Sequence, residues 1–144
     1  MSAEKAPVVA VTHTLHFSAA HRMHNPRLST AENQRLYGRC NHPGGHGHTY
    51  RVDVTVRGPI TPDTGQLTVP RDMKRVLEET VFSRFDQGNL DALIGPGDGV
   101  TSTTEVLTGV LWRLLEAELP PGCLHRIRVQ ETPNNFFERD ARTG

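Results

Sequence analysis

Cysteine is nearly absent from this chain: Cys40 and Cys123 are the only two in 144 residues. Two cysteines cannot build the disulfide framework of a small secreted domain. Long apolar runs are missing too, and nothing approaches the ~20 residues of a membrane span. The opening MSAEKAPVVAV lacks the apolar segment and cleavage site of a secretory leader, so the cytoplasm is the expected compartment. Neither sign of charge is in excess, with 16 Lys plus Arg against 16 Asp plus Glu. No basic stripe offers itself to nucleic acid, although local arginines can still hold a small anion. A dinucleotide-binding glycine pattern is also lacking. No repeat or linker divides the chain, so residues 1–144 are expected to form one domain.

Histidine, by contrast, is abundant. Four of the eight histidines stand at positions 21, 42, 46 and 48. Val9, Val11, His13, Leu15, Phe17, Ala19 and His21 share one parity, which predicts a half-buried strand. A long loop from about Arg22 to Gly45 follows, and its length favours a functional role. Within it, Ser29-Thr30-Ala31-Glu32 reads as a capping box opening a short helix through Leu36. A second strand is predicted from Thr49 to Arg57, with Tyr50, Val52, Val54 and Val56 on one face and Gly58-Pro59 ending it. Asp63-Thr64-Gly65 marks a turn before a loop or short strand. Helical spacing runs from Arg71, after Pro70, to Phe85.

FDQGNLDALIGPGDG then reads as a connection. Ser102 offers an N-cap for a second amphipathic helix, stopped by Pro120-Pro121-Gly122. A last strand runs through Ile127 and Val129 to Glu131, and Phe136-Phe137 extend or close the sheet. Cys123, just before that strand, reads as a small packing residue. This order predicts an α+β fold, an antiparallel sheet with two helices on one face.

Alternate residues of a strand point the same way, roughly 7 Å apart. If the second strand begins early, His46 and His48 project from its helix-facing side. His21 ends the preceding strand on the matching parity. Antiparallel pairing would bring the three imidazoles together, and three neutral histidines with one open position describe a catalytic zinc (Zn2+) site. Iron, copper and nickel also accept imidazole. Cys40 and His42 are the alternative ligands, but the Pro-Gly-Gly spacer after His42 is unlike the usual short metal clips. His13, His16, His24 and His125 have no partner visible in the sequence.

The segment HFSAAHRMHNPRLSTAENQRLYGRCNHPGGHGHTYRVDV, with STTEVL at 102–107 and QETPNN at 130–135, resembles the 6-pyruvoyl-tetrahydropterin synthase family. The related 6-carboxy-tetrahydropterin synthases of queuosine biosynthesis usually have a shorter loop here. The resemblance implies a tunnelling fold, in which trimers join their sheets into a barrel and two trimers stack as a homohexamer. It implies zinc on His21, His46 and His48, Cys40 as base or proton relay, and Glu131 as the anchor of a pterin substrate. Thr103, Thr104 and Glu105 match a further substrate-binding segment. The reaction so implied converts 7,8-dihydroneopterin triphosphate, with loss of triphosphate, to a 6-pyruvoyl-type tetrahydropterin.

One departure bears on the chemistry. The family pairs Asp with His after its first helix, whereas this chain has Asp86-Gln87. An amide does not titrate near neutral pH. Three outcomes are open: another group such as His42 or His24 substitutes, a different pterin side-chain reaction runs, or a pterin is bound without turnover. Asp86 is also suited to capping a turn, and Glu105 to the capping box of its helix. Val69-Pro70 departs from the family pattern as well, at the start of the first long helix.

Overall fold

The computed structural model describes residues 5–68, 72–95 and 101–142. Strand β1 (Val8–His21) leads through the loop to helix α1 (Thr30–Tyr37) and a 3-10 turn at Gly38–Asn41. Strand β2 (His46–Thr61) and the short β3 (Gln66–Leu67) follow. Helix α2 (Met73–Leu77) runs on through a π-helical turn, Glu78–Phe82, into α3 (Ser83–Phe85). Then come β4 (Gly88–Asn89), α4 (Leu90–Leu93), the long helix α5 (Thr104–Glu118), β5 (Leu124–Thr132) and β6 (Asn135–Asp140). The strand order is β4-β1-β2-β5-β6, with β3 paired to β2, and every pairing is antiparallel except β1–β4.

The expected α+β class is borne out, and its physical basis is the period-two face of β2. Tyr50, Val52, Val54 and Val56 are fully buried, flanked by Phe17 of β1 and by Ile127 and Val129 of β5. Leu107, Leu111 and Leu115 of α5 cover them, together with Met73, Leu77, Val81 and Phe85 from the α2–α3 segment. These last four recur every fourth residue. Steps of four overshoot a 3.6-residue turn by roughly 40° each, so a regular α-helix would carry Phe85 off the core face. The wider π turn in the middle absorbs part of that drift.

Several boundaries differ from the sequence reading. Val9 and Val11 are exposed rather than half-buried, because the helices cover only the C-terminal end of β1. Gly58-Pro59 does not end β2, which continues to Thr61. The β5 ladder stops at Val56, so the missing N–H of Pro59 leaves no gap in it, and the Pro59 carbonyl accepts from Thr68 N–H. The first long helix is capped by Asp72, whose side chain accepts from Arg75 N–H; Val69, Pro70 and Arg71 lie outside the described residues. The N-cap of α5 is Thr103, not Ser102. The connection FDQGNLDAL contains β4 and α4.

The capping box is present as expected, with Ser29 Oγ accepting from Glu32 N–H and Glu32 accepting from Ser29 N–H. Asn33 completes the loop. It is fully buried, accepts from Asn25 N–H at 2.8 Å, and donates to the carbonyls of Asn25 and Ser29 at 2.9 and 3.1 Å. Asn33→Ala strands these main-chain groups and is expected to cost about 1–3 kcal/mol. Urea unfolding would show a lower midpoint at unchanged slope; an unshifted midpoint would mean that the loop holds without this side chain.

Candidate metal centre

The site is built where β1 ends and β2 begins. His21 pairs directly with His46 across the ladder, and His48 lies opposite Ala19. All three imidazoles therefore rise from the helix-facing side, above Tyr50. Their ligand-capable nitrogens lie within 4.8 Å of one another, and His21 Nε2 is 3.1 Å from His46 Nε2. Gly45 makes the approach possible. Its φ is +70°, and a Cβ there would come within 3.0 Å of the His21 carbonyl oxygen. The Pro-Gly-Gly spacer is thus the segment that lets the two ligand-bearing strand ends meet.

His21 is buried, and its Nδ1–H donates to the Ser102 carbonyl at 2.6 Å. In the neutral ring that bond selects the Nδ1–H tautomer and turns the Nε2 lone pair toward the cluster, the arrangement a metal-binding histidine needs. Burial lowers the pKa of His46, and the neighbouring His21 and His48 lower it further, against the opposing pull of Glu131 and Asp91. Burial likewise lowers His48, with Glu131 opposing. The shift of both rings favours the neutral form, which is the form ligation requires. The donor set fits zinc: three imidazoles from two paired strands, with Glu131 alongside.

Glu131 stands beside this cluster at the end of β5. Its Oε1 is 3.5 Å from His48 Nε2 and 3.9 Å from His21 Nε2. The same oxygen accepts from Thr104 Oγ at 2.8 Å, and Oε2 accepts from the Asn135 side-chain amide at 3.2 Å. A half-buried carboxylate held by neutral donors keeps acceptor capacity for the N–H groups of a ligand. Beneath it, Tyr50 is fully buried with no well-formed hydrogen bond to its hydroxyl. Burial, then the Glu131 charge, push that phenol well above the usual tyrosine range, so it stays un-ionised.

The remaining predicted residues are distributed as follows. Cys40 is a half-exposed free thiol on the 3-10 turn, whose carbonyl accepts from Met23 N–H at 2.9 Å. Neither it nor His42 belongs to the metal-ligand group found among the described residues. His42 is exposed and accepts from Gly44 N–H, and His24 Nδ1 accepts from the Asn41 amide. Asp86 accepts from Ser18 N–H at 3.0 Å, and Gln87 N–H donates to the Ser18 carbonyl at 2.7 Å. Together they clamp the chain after α3 to β1. Gln87, at φ +59°, lines a cleft of about 320 Å³ with Ser18, Gly47, His48 and Thr49.

Thr103 caps α5 and Thr104 reaches Glu131. Glu105 is exposed and lines a separate groove with Val106, Gly109 and Arg139. Cys123 is buried, which raises its thiol pKa and makes it inert packing. The sequence reading missed Tyr50 and Asn135 as walls of the site, and Asp91 and Ser102 as supports of His21. Asn135 lies within the quoted QETPNN motif, but nothing in the local pattern distinguishes Asp91.

Comparison with known proteins agrees with this geometry. The sequence profile of the 6-pyruvoyl tetrahydropterin synthase family matches residues 10–142. This chain belongs to that family. It is 42% identical over 126 residues to the human 6-pyruvoyl tetrahydrobiopterin synthase, covering 88% of this chain and 87% of that protein. The Drosophila melanogaster 6-pyruvoyl tetrahydrobiopterin synthase is 40% identical over 132 residues, 91% of this chain and 79% of that protein. The solved structure of the Caenorhabditis elegans 6-pyruvoyl tetrahydropterin synthase superposes with a TM-score of 0.87 at 31% identity, covering 95% of this chain and 98% of that one. As a 6-pyruvoyl tetrahydropterin synthase-like lyase whose α+β subunit shares the fold of its tunnelling-fold relatives, the chain meets the subunit-fold, family and enzyme-class expectations. No helix among the described residues is long and apolar enough to cross a membrane.

Proposed function

We propose that this chain is a zinc-dependent lyase that takes 7,8-dihydroneopterin triphosphate to a 6-pyruvoyl-type tetrahydropterin and releases triphosphate. The observation that carries this reading is the convergence of His21, His46 and His48 within 4.8 Å, with Glu131 alongside. Those three imidazoles would hold the zinc, which when bound polarises substrate hydroxyl oxygens as a Lewis acid and acidifies neighbouring protons.

The other roles fall to the protein's own groups. Glu131, steadied by Thr104 and Asn135, accepts the ring N–H and exocyclic amine of the pterin. Thr103, at the head of α5, completes the substrate-binding segment with Thr104, whereas Glu105 of the same motif lines a separate groove of this chain. Cys40 serves as the base or proton relay for the substrate side chain. Hydrogen moves from side-chain carbons to the ring in an internal redox tautomerisation, and triphosphate leaves by elimination, so no external reductant is consumed. Asp86 holds its loop on β1, which sets Gln87 at the cleft lined by Ser18, Gly47 and Thr49, on the sheet face away from the imidazoles, and the family resemblance assigns this pair to the relay of a neighbouring subunit. The Gln87 amide there donates and accepts hydrogen bonds but moves no proton.

That substitution supports a second reading, a 6-carboxy-type or other side-chain-cleaving reaction on the same pterin, or pterin binding without turnover. Incubating zinc-loaded protein with 7,8-dihydroneopterin triphosphate separates the readings. Triphosphate release with a changed pterin chromophore supports the first. A product of altered side-chain mass supports cleavage, and stable binding with no product over hours would leave only a binding protein.

The proposed assembly is the homohexamer of two stacked trimers. Its support is the sheet's two sides: β6 lies at one, and at the other the two-residue β4 pairs only Ala19 and Ala20 of β1, while Val8, Val9 and Val11 toward the start of β1 are exposed. The proposed compartment is the cytoplasm, in keeping with two unpaired cysteines.

A further inference from the structure

His21 differs from the other two imidazoles of the metal centre. It alone is fully buried, and its second nitrogen opens a chain of hydrogen bonds leading away from the site. The Ser102 carbonyl accepts from His21 Nδ1–H at 2.6 Å. The buried hydroxyl of the same serine donates to Oδ1 of Asp91. Oδ2 of Asp91 accepts from the main-chain N–H of Arg22 at 2.9 Å. The path thus leaves the His21 ring and returns to the peptide that follows it.

Asp91 is itself anchored, because its N–H donates to Asn89 Oδ1 at 2.8 Å and Asn89 lies on β4, paired to Ala20 of β1. The closed circuit fixes three quantities that ligation depends on: the rotation of the His21 ring, the position of its hydrogen on Nδ1, and the backbone from which it projects. If the Ser102 peptide were free to turn, the hydrogen could move to Nε2, and that nitrogen would no longer ligate. Asp91 is solvent-accessible, so its charge is only a minor pull on the His46 ring, and its contribution to His21 comes through the hydrogen-bonded path.

We infer that Asp91 is a positioning residue of the metal centre, acting through Ser102 to hold His21 with its Nε2 lone pair on the ion. This rests on the reading of His21, His46 and His48 as metal ligands, but it assigns a role to a residue outside the ligand, substrate and relay sets. Outer partners of metal-binding histidines commonly govern affinity by roughly 10–100-fold.

The test is zinc affinity of the full chain, measured by competition with a chromophoric chelator, beside the visible spectrum of the cobalt-substituted protein. Asp91→Ala is expected to weaken zinc by about 10–100-fold and to alter the cobalt bands. Asp91→Asn keeps an acceptor for the Ser102 hydroxyl and is expected to lose less. Ser102→Ala keeps the carbonyl but cuts the link to Asp91, so its loss should match that of Asp91→Ala. The double variant should be no weaker than either single one, because both interrupt one path.

Zinc binding by Asp91→Ala within twofold of the parent, or single losses that multiply in the double variant, would overturn the inference. Should Asp91→Ala not fold, Ser102→Ala decides: parental affinity there overturns it equally. A parent chain that binds no zinc at all would instead refute the metal reading beneath it.

Discussion

His46→Ala is expected to leave the chain folded and to remove its zinc. The parent should carry one zinc per chain after dialysis. The variant should hold none under the same conditions, with affinity reduced by more than the ~100-fold assigned to outer-shell changes, since a ligand itself is lost. His46 is the ligand of choice for this test because it is only partly buried, whereas His21 is enclosed and its removal would also open the core. The fold should survive because Tyr50, Val52 and Val54 hold β2 against α5 independently of the ion. Far-ultraviolet circular dichroism should therefore match the parent.

The same variant should lose triphosphate release in proportion to its zinc, and added zinc at parental concentrations should not restore it. Thermal stability offers a second measurement. With free zinc at 1,000 times its dissociation constant, the parent should gain about 4 kcal/mol, which a chelator removes. His46→Ala should show no such gain. Full zinc occupancy and an unchanged zinc-dependent shift in the variant would sink the metal centre.

The second large effect concerns the proton relay. Cys40→Ala is expected to abolish triphosphate release while leaving zinc content intact, because the thiol lies outside the ligand group. Gln87→His should raise turnover instead. A catalytic histidine typically contributes roughly 10²–10⁴ in rate, and Gln87 occupies the position where the family carries its relay histidine. The backbone accepts the change: Gln87 has φ +59°, a region in which histidine is enriched among non-glycine residues, and its anchoring bond to Ser18 runs through the main chain. Steady-state triphosphate release checks both variants. A Gln87→His rate within twofold of the parent would show that the amide is not what limits turnover, and full activity in Cys40→Ala would remove the thiol from the mechanism.

Much of this site was legible in the chain because strand periodicity is strict. Once β1 and β2 are antiparallel, the shared parity of His21, His46, His48 and Tyr50 places all four on one face without further information. The capping box at Ser29 was legible for a similar reason, since it involves residues three apart. Helix starts were less so. Ser102 and Thr103 are both good caps, and the choice went to Thr103 because the Ser102 hydroxyl is committed to Asp91 and its carbonyl to His21. Val9 and Val11 show the limit of parity: it identifies a face, not whether anything covers it.

By itself, the order of residues determined the α+β class, the three imidazoles on one strand face, the buried face of β2 and the Gln87 departure. These depend on local spacing and on side-chain chemistry, which the chain carries wherever it goes. Tertiary structure alone decided that Glu131 and Thr104 meet beside His48, that Glu105 turns to another groove, and that Asp91 reaches His21 through Ser102. Those pairs lie far apart along the chain, and only the packing of α5 and the α4 turn against the ends of β1 and β5 brings them within hydrogen-bond reach.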